Sequence, residues 1–300
     1  MSKRTGLSIA IAFLLILAGL ITYNTWIKSR HYIGARKAAW EDLKENIKTA
    51  KAGYNGDVSI VIKDLDMNWE IDYNKDMAIP SASLVKIPIM MAYFYAADEG
   101  KIKLDDKLEL RQSEKVDGSG ILKSESSGSA YTIEELIRLA ITQSDNTAAN
   151  MLIDAMGLDR LNRYFARLGL KATNLSRKMM DFRSRKAGVE NYTTASDMAF
   201  SLERLYRGQI LSRGSSKKCL ELLSEQKIKD RIPKRLPINT AVAHKTGLEN
   251  GICHDVGIVY TGKGNFLICV LTKHEYRLAR PMKRLIARLS LLTYDYYNNF

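Results

Sequence analysis

Residues 241–272 read AVAHKTGLENGICHDVGIVYTGKGNFLICVLT, and the fold turns on this stretch. It contains three strand-length runs, at 241 to 248, 253 to 260 and 266 to 272, and Gly262-Lys263-Gly264-Asn265 supplies the turn of the last hairpin. Beyond it, Pro281 stands near the first turn of a final helix whose Leu285, Leu289 and Leu292 form one apolar stripe. Toward the other end of the chain, residues 58 to 65 and 69 to 73 are β-rich runs split by a short polar turn, which predicts a second hairpin. Between the two strand regions the pattern is helical. Residues 84 to 97 form a long apolar helix, and Thr132-Ile133-Glu134-Glu135 opens another with a capping box ahead of apolar Leu136, Ile137, Ala140 and Ile141. Further helices are predicted at 146 to 156, 158 to 168, 195 to 207 and 216 to 226. Strands at both ends with helices between them imply an α/β (α+β) fold, with one antiparallel sheet flanked by helices and an all-helical lobe inserted at about 98–240. A cleft between sheet and lobe follows. Residues 113 to 131, rich in Ser and Gly, must be a long loop, a feature that in compact domains is usually functional or mobile.

The N-terminus is a different kind of sequence. Residues 7 to 23 (LSIAIAFLLILAGLITY) carry no charge and run into Trp26, a residue type favoured at membrane interfaces. Leu17-Ala18-Gly19 is a poor signal-peptidase site, so residues 1–27 are expected to be a transmembrane signal-anchor rather than a cleaved leader. Residues 28–53 are good helix formers of alternating charge and are expected to form a stalk, leaving 54–300 as the main domain. The flanking charges are too balanced to set orientation.

Composition removes several function classes. The net charge of +13 comes from 46 basic and 33 acidic residues spread along the chain, without a zinc-finger spacing or an RNA-binding aromatic motif, so no nucleic-acid partner is expected. Four scattered His with no paired spacing leave no metal site, and no cofactor is expected. Three Cys cannot build a disulfide framework. Cys269 should face about Gly257 across the last hairpin, so Cys253 and Cys269 should be reduced, buried thiols. His244 and His254, near Lys245, read as packed side chains able to tune a neighbouring pKa.

Three short motifs could carry chemistry. Ser83-Leu84-Val85-Lys86 lies where a loop becomes the apolar helix, and a spacing of three places the hydroxyl and the amine on one helical face. The pattern alone is weak, because Ser215 with Lys218 and Ser224 with Lys227 match it too. Ser144-Asp145-Asn146 follows 61 residues after Ser83, and its bland reading is a helix cap. Lys245-Thr246-Gly247 lies in the first C-terminal strand, where Lys suits a polar edge and Gly marks close approach of another backbone. All three in this order form a constellation that chance rarely supplies.

On these motifs the chain resembles the penicillin-recognising serine enzymes, and among them the class A β-lactamases, whose signature set is S-x-x-K, S-D-N and K-T-G. The resemblance spans residues 54 to 300. It implies Ser83 as the acylated nucleophile, Lys86 as its proton acceptor or relay, Ser144 as the shuttle to the leaving nitrogen and Asn146 as the amide holding the substrate's acylamino group. It also implies Lys245 and Thr246 as carboxylate binders, Gly247 as room for substrate, and an oxyanion hole from the N–H groups of Ser83 and Leu248. The family's E-x-x-L-N glutamate, which activates the deacylating water, has no counterpart. Asp181 is the first substitute and Glu190 the second, though either could simply brace its loop through Arg177 or Arg183. The implied activity is β-lactam hydrolysis, with a D-Ala-D-Ala peptidase or penicillin-binding protein acting on peptidoglycan stem peptides, or a non-turnover penicillin-binding sensor or wall-docking protein, as rivals. The implied setting is a bacterial cell membrane, with a monomeric catalytic domain outside it.

Overall fold

The computed structural model describes residues 3–299, with side chains from Thr22 onward except Asn24. Helix α1 (Lys3–Ala52) leads into strands β1 (Asp57–Asp64) and β2 (Glu70–Tyr73) and the short β3 (Ile79–Pro80). A 3₁₀ turn, Ala82–Val85, then feeds α2 (Lys86–Asp98). The middle of the chain holds β4 (Lys107–Glu109), β5 (Ala130–Thr132), α3 (Ile133–Thr142), α4 (Asn146–Met156), α5 (Leu158–Arg167), α6 (Phe182–Lys186), β6 (Tyr192–Thr193), α7 (Ala195–Tyr206) and α8 (Arg213–Ser224). It closes with β7 (Ala241–Glu249), β8 (Ile252–Thr261), β9 (Gly264–Lys273) and α9 (Arg280–Asn298).

Both ends of the chain share one antiparallel sheet, ordered β2-β1-β9-β8-β7, as the strand pattern predicts. Strand alternation splits its side chains between two cores. Ile60, Ile62, Ile268 and Val270 pack under α1 and α9, whereas Val61, Val256, Leu267 and Leu271 pack under the helical lobe. Local signals set the lobe's helix starts. Thr132 Oγ1 accepts from Glu135 N at 3.1 Å while Glu135 Oε2 accepts from Thr132 N at 2.7 Å, the reciprocal box read from sequence.

The structure moves three expectations. The segment 28–53 is helical, but its second half is not a free stalk: Trp40, Leu43, Ile47 and Ala50 are buried in the sheet's outer core. Buried Arg36 also donates to Asp64 Oδ2 at 2.8 Å and to Tyr296 Oη at 3.1 Å. The packed unit therefore begins near Arg36, because the residues at 40, 43, 47 and 50 form an apolar stripe that charge alternation conceals. Across the last hairpin Cys269 pairs with Val256, and Gly257 with Ile268, one position off the expectation, because the loop is the two residues Gly262 and Lys263. All three cysteines are free and buried. The last lobe helix spans Arg213–Ser224 rather than 216 to 226, since Ser212 caps it. No helix among the described residues is long and apolar enough to cross a membrane. The run at 7 to 23 lies, except for Thr22 and Tyr23, outside the described side chains.

Candidate active site

The three motifs converge. Ser83 sits in the 3₁₀ turn that packs on β7, and Lys86 is the first residue of α2. Lys86 Nζ donates to Ser144 O at 2.7 Å and to Asn146 Oδ1 at 2.8 Å, and approaches Ser144 Oγ at 3.4 Å. From the sheet side, Lys245 Nζ donates to the same Ser144 Oγ at 3.0 Å and to Thr246 O at 3.0 Å. One hydroxyl thus lies between two lysine nitrogens from different elements. Ser83 Oγ makes no hydrogen bond among the described residues, to Lys86 Nζ or to any other group.

Both lysines are completely buried, which favours the neutral amine. Burial pulls Lys86 down to about 7, against the opposing charges of Asp145 and Glu249. Burial, and then the positive charge of Lys86, lowers Lys245 well below the usual lysine range. The backbone is strained at the same place. Ala82, Ser144 and Met180 have φ of +44°, +59° and +65°, in the left-handed region that side chains disfavour. Such strain persists only where surrounding bonds over-determine it, and it gathers at functional sites.

Those bonds come partly from residues that the motif reading left aside. Asp145, rather than Ser144, is the N-cap of α4, accepting from Ala148 N at 2.8 Å. Its other oxygen accepts from Ile121 N and Leu122 N at 2.7 and 2.9 Å, so it ties the Ser/Gly-rich loop to the site. Asn146 Nδ2 donates to Asp117 O in that loop at 3.2 Å. A Cβ on Gly118 would stand 2.6 Å from Asn146 Nδ2 and 3.1 Å from Met180 Sδ, so only Gly fits there. His254 is a packed, neutral imidazole: Nε2 donates to Pro80 O at 2.9 Å, Nδ1 accepts from Thr272 N at 3.0 Å, and burial lowers its pKa to about 4. It lies opposite Gly247, where a Cβ would meet its ring at 3.0 Å, so Gly247 makes room for His254. Leu248 is half-exposed on the edge strand β7.

The segment carrying Asp181 and Glu190 is built differently. Glu190 is spent in ion pairs, 2.7 Å to Arg177 and 3.2 Å to Arg185. Both arginines also reach Glu249 at the end of β7, at 3.3 and 3.0 Å, a cross-brace that only the folded sheet reveals. Asp181 caps α6: Oδ1 accepts from Ser184 N at 3.0 Å and Oδ2 from Ser184 Oγ at 2.6 Å, and these bonds hold its pKa below the usual aspartate value. It lines a cavity of about 180 Å³ shared with Asn150 and Met180. Asn150 grips the Met179 backbone from both sides, at 2.8 and 3.1 Å. Neither carboxylate is hydrogen-bonded to Lys86 or Ser144. Among the described residues no cluster of His, Cys, Asp and Glu could hold a metal ion.

Residues 42–297 match the beta-lactamase enzyme family. The beta-lactamase VEB-1 of Pseudomonas aeruginosa is 26% identical over 273 residues, covering 85% of this chain and 89% of its own length. Among solved structures, a beta-lactamase from Sphaerobacter thermophilus superposes with a TM-score of 0.79 at 32% identity, covering 87% of this chain and 98% of its own. PBP-A superposes with a TM-score of 0.79 at 28% identity, covering 86% of this chain and 97% of its own.

Proposed function

Since this chain belongs to the beta-lactamase enzyme family, we infer that it is a serine hydrolase that opens β-lactams by acylation of Ser83 and then hydrolyses the ester. The observation that carries this reading is Ser144 Oγ standing between Lys86 and Lys245. Lys86, whose pKa burial lowers to about 7 so that a large fraction is the free amine at neutral pH, takes the Ser83 proton as Oγ attacks the lactam carbonyl. The carbonyl oxygen gathers charge that the N–H groups of Ser83 and Leu248 stabilise, and such a donor is worth about a hundred- to thousand-fold in rate. As the C–N bond breaks, Ser144 passes a proton to the departing nitrogen and is resupplied from the lysine pair. Lys245 and Thr246 hold the substrate carboxylate, whose negative charge restores the Lys245 ammonium. Asn146, with one amide hydrogen still free, takes the acylamino carbonyl.

Deacylation is the slower half in this reading. Asp181 keeps two lone pairs beyond those serving Ser184 and faces the cavity beside Met180, and we assign it to water activation. Misplacement by about 1 Å costs on the order of a hundred-fold, so a carboxylate committed to capping is a weak base for this step. The test is to mix the protein with a chromogenic cephalosporin and follow colour and intact mass together. Sustained colour with a transient adduct is expected. A permanent adduct without turnover replaces hydrolysis with a peptidase-like or sensor role on peptidoglycan, and no adduct removes the catalytic reading.

We also take residues 1–27 to anchor the chain in the bacterial cell membrane, with the catalytic domain outside and acting as a monomer. Support comes from the uncharged run 7–23 and from exposed Tyr23 and Trp26, stacked at 6.2 Å with Arg30 over the Trp26 ring. Deleting residues 1–27 should move the protein from the membrane to the soluble fraction, and an unchanged distribution would reject the anchor.

A further inference from the structure

Glu249 is the last residue of β7, next to Leu248, and pairs with Ile252 across the tight Asn250-Gly251 turn. β7 is an edge strand, so β8 is its only neighbour in the sheet. The far side of the turn is fastened separately, by His274 N donating to Gly251 O at 2.8 Å. The outer end of β7 is fastened by the Glu249 carboxylate, which accepts from Arg177 Nη2 at 3.3 Å and from Arg185 Nη1 at 3.0 Å. The 177 to 190 segment has its own means of keeping shape. Arg177 is paired with Glu190 at 2.7 Å, and Asn191 Oδ1 accepts from Ser176 N and Arg177 N at 2.7 and 2.9 Å while its Nδ2 donates to Arg177 O at 3.0 Å. What Glu249 adds is attachment of that segment to the strand.

Arg177, Arg185, Glu190 and Glu249 form a cluster of two cations and two anions. The Arg177 side chain is 2% exposed and that of Glu249 19%, so water and salt screen the cluster little. Taking away one carboxylate leaves two guanidinium groups to share the other in a mostly buried place, which is strongly unfavourable. The charge of Glu249 also reaches the base. Burial lowers Lys86, the carboxylates of Asp145 at the start of α4 and of Glu249 oppose that effect, and the charged forms of Lys86 and Lys245 repel each other.

We propose that Glu249 is a positioning residue, which holds the outer end of β7, and the Leu248 N–H on it, in place against the 177 to 190 segment. Its effect on rate rests on the serine-acylation reading above; its effect on the strand does not. Two variants of the full chain separate these effects. Glu249→Ala should raise amide hydrogen exchange over residues 246 to 252 and slow formation of the cephalosporin adduct by roughly tenfold or more, since misplacement by about 1 Å costs on the order of a hundred-fold. Glu249→Gln keeps the shape and loses the charge, so Lys86 should release its proton more readily and the midpoint of acylation against pH should move below that of the wild type. A purely structural loss would lower the rate and leave that midpoint where it is. Unchanged exchange over 246 to 252, adduct formation at the wild-type rate in Glu249→Ala, or a midpoint in Glu249→Gln that stays or rises would each overturn the proposal. A wild type that forms no adduct strikes the acylation reading instead, and the exchange over 246 to 252 then decides the role of Glu249 by itself.

Discussion

The Ser83–Ser144–Lys245 region and the segment from Arg177 to Glu190 come together at Gly118, which lies against both Asn146 and Met180, and they are built on opposite terms. In the first, buried lysines are stripped of water and share one hydroxyl, so stability is given up for reactive amines. In the second, every charged group named is compensated: Arg177 and Arg185 by Glu190 and Glu249, Asp181 by Ser184. The contrast separates a region of desolvated, reactive amines from one whose carboxylates are committed to ion pairs and a helix cap.

The widest gap should open at Lys86. Lys86→Ala removes the base and should slow acylation by about 10²- to 10⁴-fold, read as the rate of mass-adduct formation. A loss under tenfold would erase the contrast. Wild-type acylation should fall about tenfold per pH unit below about 7, because the ammonium form of Lys86 has no lone pair to accept the Ser83 proton. A flat profile from pH 5 to 8 would place the base elsewhere. Asp181→Asn tests the other region: adduct formation should be unchanged and its loss slower by about a hundredfold. An unchanged release rate would leave Asp181 with its cap alone. The smallest effect is structural. Asp145→Ala removes three charge-assisted bonds that join the 113 to 131 loop to α4 and should cost about 2–3 kcal/mol, lowering Tm by roughly 5 °C or more. An unaltered Tm would show that the loop is held by other means.

Much of this was legible in the sequence because local rules and tertiary packing agreed. The β7–β9 meander, the Thr132 capping box and α4 at 146 to 156 lie where periodicity and turn residues place them. What escaped depended on distant partners. Trp40, Leu43, Ile47 and Ala50 read as part of a charged helix until the sheet gives them a surface to cover. Asp145 reads as a cap, and only the folded loop reveals its second set of donors. Glu249 has no local signature, since its arginine partners are 64 and 72 residues away in the chain. Gly247 also accommodates His254, a register-dependent fact that follows from the β7–β8 pairing.

The most direct test is the mass of the protein after brief exposure to a cephalosporin, with peptide mapping of the adduct, beside the Ser83→Ala variant. A single acyl group on the peptide holding Ser83, absent from the variant, is the predicted result. An adduct that persists in Ser83→Ala, or maps to another serine, would contradict the central claim.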